Sequence, residues 1–422
     1  MMTVALIIFL IMYVLMTALP SKKIPIVYSC VVLFLVLRIL PLSAVPSAIN
    51  WNVLLMIAGT GIVVEFFIDS RMPERIADLL LDKASNGMWI TIFMALFAGA
   101  VSAFIDNVAT VLMVAPVGLS ICRKLKVNPV PMVLAIAVSS NLQGAATLVG
   151  DTTSILLGGY AGMTFNDFFW MNGRPGIFFA VELGAIATVP IMMFLFRDMK
   201  QPVQAEGKTE VTHYFPSFML LGVIVLLILA SFLPNKPELT NGLICCALAV
   251  ITMIEDRIHR GSFDKCVEAV KAVDYNTLLL LIGLFLMIEG LTRAGVIDRL
   301  AEGLVKIGGD NRFLLFTLIV WGSVLISAFV DNIPYVATML PVIEGLTRLT
   351  GGSPYLLYFG LLTGATLGGN ITPIGASANI AATGILQKEG YTVEFKDFAR
   401  IGLPFTLAAV LAGYLFIWFV WA

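Results

Sequence analysis

Of the 422 residues, 59% are hydrophobic and only 13% are charged, and the mean hydropathy is +0.96. No water-soluble globule of this size could hide so much apolar surface, so most of the chain is dissolved in lipid. A net charge of −1 excludes an electrostatic nucleic-acid binder.

In chain order, apolar runs long enough for a bilayer core fall near 3–19, 24–40, 51–69, 130–162, 177–196, 216–233, 240–254, 275–292, 354–387 and 399–421. The first, TVALIIFLIMYVLMTALP, lacks a basic leader and a small-residue cleavage site, and reads as a retained helix. The expectation is an all-α polytopic membrane protein with about ten full spans. Basic loops at 21–23, 71–75, 123–126, 197–200 and 255–265 fall on one side, against a single lysine in the opposite loops 41–50 and 233–242. The positive-inside rule puts the basic side in the cytoplasm and both termini outside. The loop 293–312 departs from that rule with Arg293, Arg299, Lys306 and Arg312, offset by Asp298, Glu302 and Asp310. Cys30, Cys122, Cys245, Cys246 and Cys266 have no metal spacing and are expected to pack.

Two segments, 88–122 and 312–347, are too long for one crossing and carry an aspartate near their middle: SAFIDNVATVLMVAP (102–116) and SAFVDNIPYVATMLP (327–341). Each fits a re-entrant helical hairpin whose tip lies at depth against protein or a watery cavity.

The two motifs align without a gap. Asp331 lies 225 positions after Asp106, and GNITPIGASAN (369–379) lies 225 after GAATLVGDTTS (144–154). Upstream, VDYNTLLLLIG (273–283) follows INWNVLLMIAG (49–59) by 224 and pairs Glu289 with Glu65. An odd number of crossings separates equivalent elements, so the halves are inverted: residues 1–200 and 216–422, joined by a cytoplasmic linker at 201–215. Inverted repeats with interrupted helices are the architecture of secondary transporters.

The runs 130–162 and 354–387 overshoot a membrane at about 1.5 Å per residue, and Gly, Thr and Ser interrupt both, so each is expected to break in its middle. A break frees carbonyls for a cation and N–H groups for an anion. Gly150 and Gly375 would admit a close ligand, and Thr147, Thr152, Asn370, Thr372, Ser377 and Asn379 could supply oxygens; helix packing is the alternative reading. Asp106 and Asp331 are costly at mid-bilayer and mark an ion pathway, or else cap the outgoing hairpin helices. Asn107 and Asn332 follow them, and Asp151 meets Ala376 in the other half, an asymmetry that points to a role used once. Glu65, Glu182, Glu289 and Glu344 are weaker candidates, and His213 and His259 read as solvated loop residues. No Lys or Arg falls within these motifs, no ATP-binding signature appears, and beyond the two acids nothing supports an intramembrane aspartyl protease; an enzyme is not expected.

At SAFIDNVATVLMVAPV, NLQGAATLVGDTTSILLG, SAFVDNIPYVATMLPV and TLGGNITPIGASANIAATG the chain resembles the ion transporter superfamily, in its branch of arsenite permeases, Na⁺/H⁺ antiporters and the P protein. The resemblance implies a citrate-transporter-like domain: a scaffold half, through which such proteins often dimerise, and a transport half that moves as an elevator. It also implies ion or substrate binding at the hairpin tips, with Na⁺ as a candidate ion at Asp106, Asn107, Asp331 and Asn332. The hairpin triplets depart from the Ser-Asn-Thr of the dicarboxylate carriers. The function expected is ion-coupled (H⁺ or Na⁺) export of arsenite, antimonite or another small inorganic solute. Na⁺/H⁺ antiport, carboxylate symport and a P-protein-like anion channel are the alternatives. No cofactor is expected beyond the coupling ion. The lipid bilayer, a small ion substrate, a second copy of the chain and a soluble ATPase subunit are the expected partners, in a bacterial or archaeal cytoplasmic membrane.

Overall fold

A computed structural model describes residues 1–202, 209–309 and 311–422. Part of the linker at 201–215 and Asp310 therefore lie outside the described residues. Almost everything described is helical, save one two-stranded turn of Trp170–Met171 with Arg174–Pro175. The chain is an all-α integral membrane protein of two inverted repeats. Among the described residues, five helices reach 19 residues or more with membrane-like hydropathy, and four more apolar helices run 15–17 residues.

The repeat extends beyond the motifs to the helix caps. Asn50 accepts a hydrogen bond from Val53 N to start Trp51–Asp69, and Asp274 accepts one from Thr277 N to start Tyr275–Arg293. Asn86 caps Gly87–Ser102 and Asn311 caps Arg312–Ser327 in the same manner. Each cap satisfies an amide that has no partner inside its helix, so chain direction is set at equivalent places in both halves. Pro116 and Pro341 recur inside the outgoing hairpin helices Asn107–Leu125 and Asn332–Thr350.

Both hairpins form: Gly87–Ser102 turns into Asn107–Leu125, and Arg312–Ser327 into Asn332–Thr350. Both long runs break, the first into Val130–Gly144 and Thr152–Ala161, the second into Tyr355–Gly368 and Ser377–Lys388. Each incoming hairpin helix packs on the first half of the broken helix that follows it. The outgoing helices exchange partners: Asn107–Leu125 packs on Ser377–Lys388, and Asn332–Thr350 on Thr152–Ala161. Ile177–Leu195 and Phe395–Trp421 pack on each other beside this group. A second group crosses the repeats too, Trp51–Asp69 against Thr240–Arg260 and Lys23–Val36 against Tyr275–Arg293. Its crossings are tight at equivalent glycines. A Cβ on Gly59 would lie 2.5 Å from the Cys245 carbonyl carbon, and one on Gly283 2.5 Å from Val27 Cγ1. Small residues at such crossings let lipid-solvated helices gain dispersion contact.

The structure corrects two loops. Residues 71–75 and 293–312, read as basic loops, are largely the amphipathic helices Met72–Leu81 and Val296–Gly308, whose acids and bases share a face opposite an apolar stripe. The basic stretch 255–265 also holds helix: Thr240–Arg260 runs on six residues past the expected end, and Asp264–Ala272 follows. The cysteines pack as expected, with Cys246 half-buried and the other four buried.

Candidate functional site

The two hairpin turns dock on the two helix breaks by one mechanism. The Thr147 hydroxyl donates to the carbonyl of Ala103 in the first turn, and the Thr372 hydroxyl donates to the carbonyl of Ala328 in the second, at 2.5 Å. The same oxygens accept from Val149 N and Ile374 N, both at 3.3 Å, and fix the non-helical backbone of each break. Gly150 and Gly375 complete the joint. A Cβ on Gly150 would meet the carbonyls of Gly144, Ala103 and Ser102 at 2.6–2.7 Å, and one on Gly375 those of Gly369, Ala328 and Ser327 at 2.7–2.8 Å. The close approach these glycines permit is to the hairpin backbone.

Asp106 and Asp331 both cap. Oδ1 of Asp106 accepts from Val108 N at 2.9 Å and Ala109 N at 3.3 Å; Oδ1 of Asp331 accepts from Ile333 N at 3.1 Å. Their surroundings then diverge. Asp331 Oδ2 lies 2.6 Å from Lys23 Nζ, with only 10% of the aspartate side chain exposed. Tyr13 reaches the same outgoing helix, its hydroxyl 2.5 Å from the Pro334 carbonyl and 2.7 Å from Thr338 Oγ1. Asp106 instead faces a cavity of about 750 Å³ that it shares with Asp151 and Thr152. Glu65 and Asp274 add two more acids to the lining, and Lys271 is its one base among the described residues. This cavity reaches residues 271–277, directly after the basic stretch, and so opens on the side that carries that stretch.

Between the repeats lies a chain of buried amides. Asn107 Nδ2 donates to Asn141 Oδ1 at 2.9 Å, and Asn141 Nδ2 is shared by Asn370 Oδ1 at 2.7 Å and Asn379 Oδ1 at 2.8 Å. Asn370 goes on to the Val138 carbonyl, and Asn379 to the carbonyls of Gly369 and Thr372. In the other half Thr366, at the place of Asn141, meets the Thr153 hydroxyl at 3.2 Å, and Thr153 donates to Asp151 Oδ2 at 2.9 Å. Asn332 is buried where Asn107 is, but Thr366 stands in the place of Asn141, so no equivalent amide faces it. Ser377 is half-buried at the start of Ser377–Lys388.

The expected residues thus fall into three sets. Asn107, Asn370 and Asn379 meet in the amide chain; Asp106, Asp151 and Thr152 meet at the cavity; Thr147, Gly150, Thr372 and Gly375 hold the turns. Asp331 stands with Lys23. Sequence reasoning passed over Asn141, Thr366, Lys23, Tyr13, Lys271 and Asp274. Asn141 and Thr366 sit in the quoted motifs, as polar residues within apolar helices, and that was a usable signal. Lys23 offered none, since its partner is 308 residues away. Of the weaker acids, Glu65 pairs with Lys265 at 3.0 Å and Glu289 with Arg293 at 2.5 Å, while Glu344 accepts from the Tyr160 hydroxyl. Tyr160 and Glu344 line a second cavity, of about 920 Å³, with Asn50, Lys236 and Glu289 on the opposite side. Leu148 and Leu156 face that cavity while Val149 and Ile155 face the one beside Asp106, so the first helix break separates them. The histidines are not solvated singly: His213 and His259 stack on each other.

Paired hairpins docked on paired helix breaks, with a cavity on either side, define a membrane transporter. The chain belongs to the citrate transporter family, whose family model matches residues 4–264 and 242–422. It is 31% identical over 379 residues to an uncharacterized transporter of Mycobacterium tuberculosis, covering 88% of this chain and 87% of that one. An uncharacterized transporter of Synechocystis is 26% identical over 396 residues, covering 87% and 86%. The mouse P protein is 27% identical over 455 residues, covering 88% of this chain and 54% of its own length. Among solved structures, the Alcanivorax borkumensis YdaH transporter superposes with a TM-score of 0.61 at 14% identity, covering 89% of this chain and 86% of its own, which is a likeness of fold.

Proposed function

We propose that the chain is an ion-coupled secondary transporter whose coupling cation, H⁺ or Na⁺, binds at Asp106 and Asp151. The observation that carries this reading is their shared cavity, where four acids face one lysine. Carboxylates gathered in a confined, partly desolvated space bind a proton or a small hard cation strongly. An asymmetry between the repeats supports elevator-type alternating access. Asn50 lines the second cavity with its Nδ2 donating to the Gly159 carbonyl at 3.2 Å, whereas its counterpart Asp274 lines the first cavity beside Asp106 as a carboxylate that caps its own helix. Two inverted halves in unequal arrangements are what a state of an alternating cycle looks like.

The solute that this field suits best is a small neutral inorganic species of the arsenite or antimonite class, exported against the cation. The acid surplus repels a free citrate trianion, which would need cations bound beside it. Na⁺/H⁺ antiport is the second reading, favoured by the carboxylates themselves, since Na⁺ could fill their site with no other solute. Asn107, Asn332 and the broken-helix residues Asn370, Thr372, Ser377 and Asn379 would shape the solute site next to the ion. A bacterial or archaeal cytoplasmic membrane and a dimer joined through the scaffold fit this reading, as does a soluble ATPase partner on the basic face.

The test uses purified protein in proteoliposomes loaded with a pH-sensitive dye under an imposed pH gradient. Na⁺, Li⁺, arsenite and citrate are added one at a time. A response to arsenite alone supports the leading assignment, and a response to Na⁺ or Li⁺ alone installs the antiporter. A response to citrate alone removes both. Silence to all four, with substrate flux that does not saturate, would leave a channel.

A further inference from the structure

The 422-residue chain has only two histidines, and they lie 46 positions apart, yet their rings stack at 4.3 Å with an interplanar angle of 10°. Glu255 sits beside them, both carboxylate oxygens 2.9 Å from His213 Nε2. One ligating atom from each of His213, Glu255 and His259 falls within 4.8 Å of the others. Glu255 and His259 are four apart on Thr240–Arg260 and so project from one helix face, as chelating pairs do. His213 comes from the segment that joins the two repeats.

We propose that His213, Glu255 and His259 form a cytoplasmic binding site for a borderline divalent transition-metal ion such as Zn²⁺ or Co²⁺. Two neutral imidazoles and one carboxylate are a common three-ligand set for such an ion, with the fourth position left to water. Ligand atoms around tetrahedral zinc stand about 3.3–3.5 Å apart, given metal–ligand distances of about 2.0–2.2 Å. The His213–Glu255 separation is already close to that range. His259 is exposed, and a side-chain rotation that unstacks its ring from His213 closes the remaining gap.

The position gives the ion something to hold. The connector touches the first hairpin through Gly87 N to the Gln201 carbonyl at 2.9 Å and Met88 N to the Met199 carbonyl at 2.8 Å. It touches the amphipathic helix through Thr209 N to Asp78 Oδ2 at 2.7 Å, and the end of Trp51–Asp69 through Thr212 N to the Ser70 carbonyl at 3.1 Å. A metal at His213 would clip this strap to the scaffold helix Thr240–Arg260. The site stands independently of which solute is carried.

The experiment uses full-length, tag-free protein in detergent, stripped with chelator and titrated with Co²⁺ and then Zn²⁺. Expected are one tightly bound equivalent, a visible Co²⁺ spectrum with nitrogen ligation that Zn²⁺ displaces, and slower amide exchange over residues 209–214 in the metal-bound form. His213→Gln and His259→Gln, each checked as monodisperse, should weaken uptake about tenfold or more. No stoichiometric uptake overturns the site. Equal uptake by the His213→Gln/His259→Gln double variant also overturns it, by putting the metal elsewhere.

Discussion

Lys23 Nζ lies 2.6 Å from Asp331 Oδ2, so a lysine at the start of Lys23–Val36 occupies the free oxygen of a hairpin-tip carboxylate. Among the described residues, Asp106 has no such lysine and lines the cavity instead. The two hairpin tips are therefore alike in sequence and unlike in charge. Lys23 serves Asp331 as a built-in cation, and a second cation could bind at this tip only by displacing it.

If Asp331 adds a second cation position to the one proposed at Asp106 and Asp151, Lys23→Gln leaves it with no counter-charge, and cation binding there should strengthen. We expect the apparent KM for the coupling cation to fall about tenfold, equivalent to about 1.4 kcal/mol. The Lys23→Gln/Asp331→Asn double variant should return it towards the wild-type value. Transport assayed against Na⁺ concentration and against pH decides this, and an unchanged KM in the single variant would refute the competition.

Much of this arrangement was legible in the sequence, because repeated elements obey repeated local rules. The 225-residue offset of IDN and VDN, the Gly-Thr-rich interruptions and the two long segments located both hairpins and both breaks. The amphipathic helices were lost because their charges read as loop: Val296–Gly308 carries five charged or glycine positions on its polar face, which a hydropathy window averages away. Long-range polar pairings were lost for a different reason. Asn141 to Asn379 and Lys23 to Asp331 are set by how helices pack, and nothing in the local sequence encodes a partner more than 200 positions away. The repeat rule even misled for Asn332, whose counterpart's partner is replaced by Thr366.

Asn141 carries the amide chain between repeats. Asn141→Ala would strip the Asn107 amide of its acceptor and the Asn370 and Asn379 oxygens of their donor, all in buried positions. Each orphaned buried group costs about 1–3 kcal/mol. Part of that is relieved by the waters a smaller side chain admits, so a loss of about 2–4 kcal/mol is expected. Thermal unfolding in detergent should show a clearly lower Tm than for Asn332→Ala, which breaks no such chain. A comparable drop in both variants would mean that the network adds nothing beyond burial.

Lys265 bridges Glu65 at 3.0 Å and Asp69 at 3.2 Å, tying Asp264–Ala272 to the C-terminal end of Trp51–Asp69. Burial by itself would lower the lysine pKa, but hydrogen bonds and attraction from Glu65 and Asp69 outweigh it and hold the pKa above its ordinary value. A raised folded-state pKa adds stability that is fully present below the unfolded value of about 10.4 and is lost as pH climbs through the folded one. Lys265→Met should therefore lower Tm at pH 7, and the gap to wild type should narrow above about pH 10.4. Melts at pH 7 and pH 11 check the sign; a gap that widens with pH would contradict it.

Gly150→Ala and Gly375→Ala make a matched pair. Each new methyl would press on three backbone carbonyls at 2.6–2.8 Å, and backbone gives way less readily than a side chain. Overpacking of this kind costs about 1–3 kcal/mol, and it should open the hairpin turn from the break in both halves. Because Asp151 and Thr152 follow Gly150 directly, Gly150→Ala should also disturb the cavity and reduce transport. Gly375→Ala, followed by Ala376 and Ser377, should lose stability to the same degree with less effect on cation dependence. Tm and cation KM measured on both variants separate the two effects, and equal changes in KM would mean that the cavity is not where the cation acts.

The sharpest separation comes from the carboxylates. Asp106 has two tasks, capping Asn107–Leu125 through Oδ1 and facing the cavity, whereas Asp151 makes no cap and bonds only Thr153 through Oδ2. Asn caps a helix about as well as Asp. Asp106→Asn should therefore keep the fold, with Tm changed by no more than a few degrees, and abolish cation-coupled flux. Asp151→Asn keeps a side-chain oxygen for the Thr153 hydroxyl, so it too should fold. With Asp106, Glu65 and Asp274 left at the cavity, it should retain uncoupled solute movement. Dye-loaded proteoliposomes distinguish the pair: coupling lost in both places the cation between them, whereas coupling intact in Asp106→Asn reduces that aspartate to a cap.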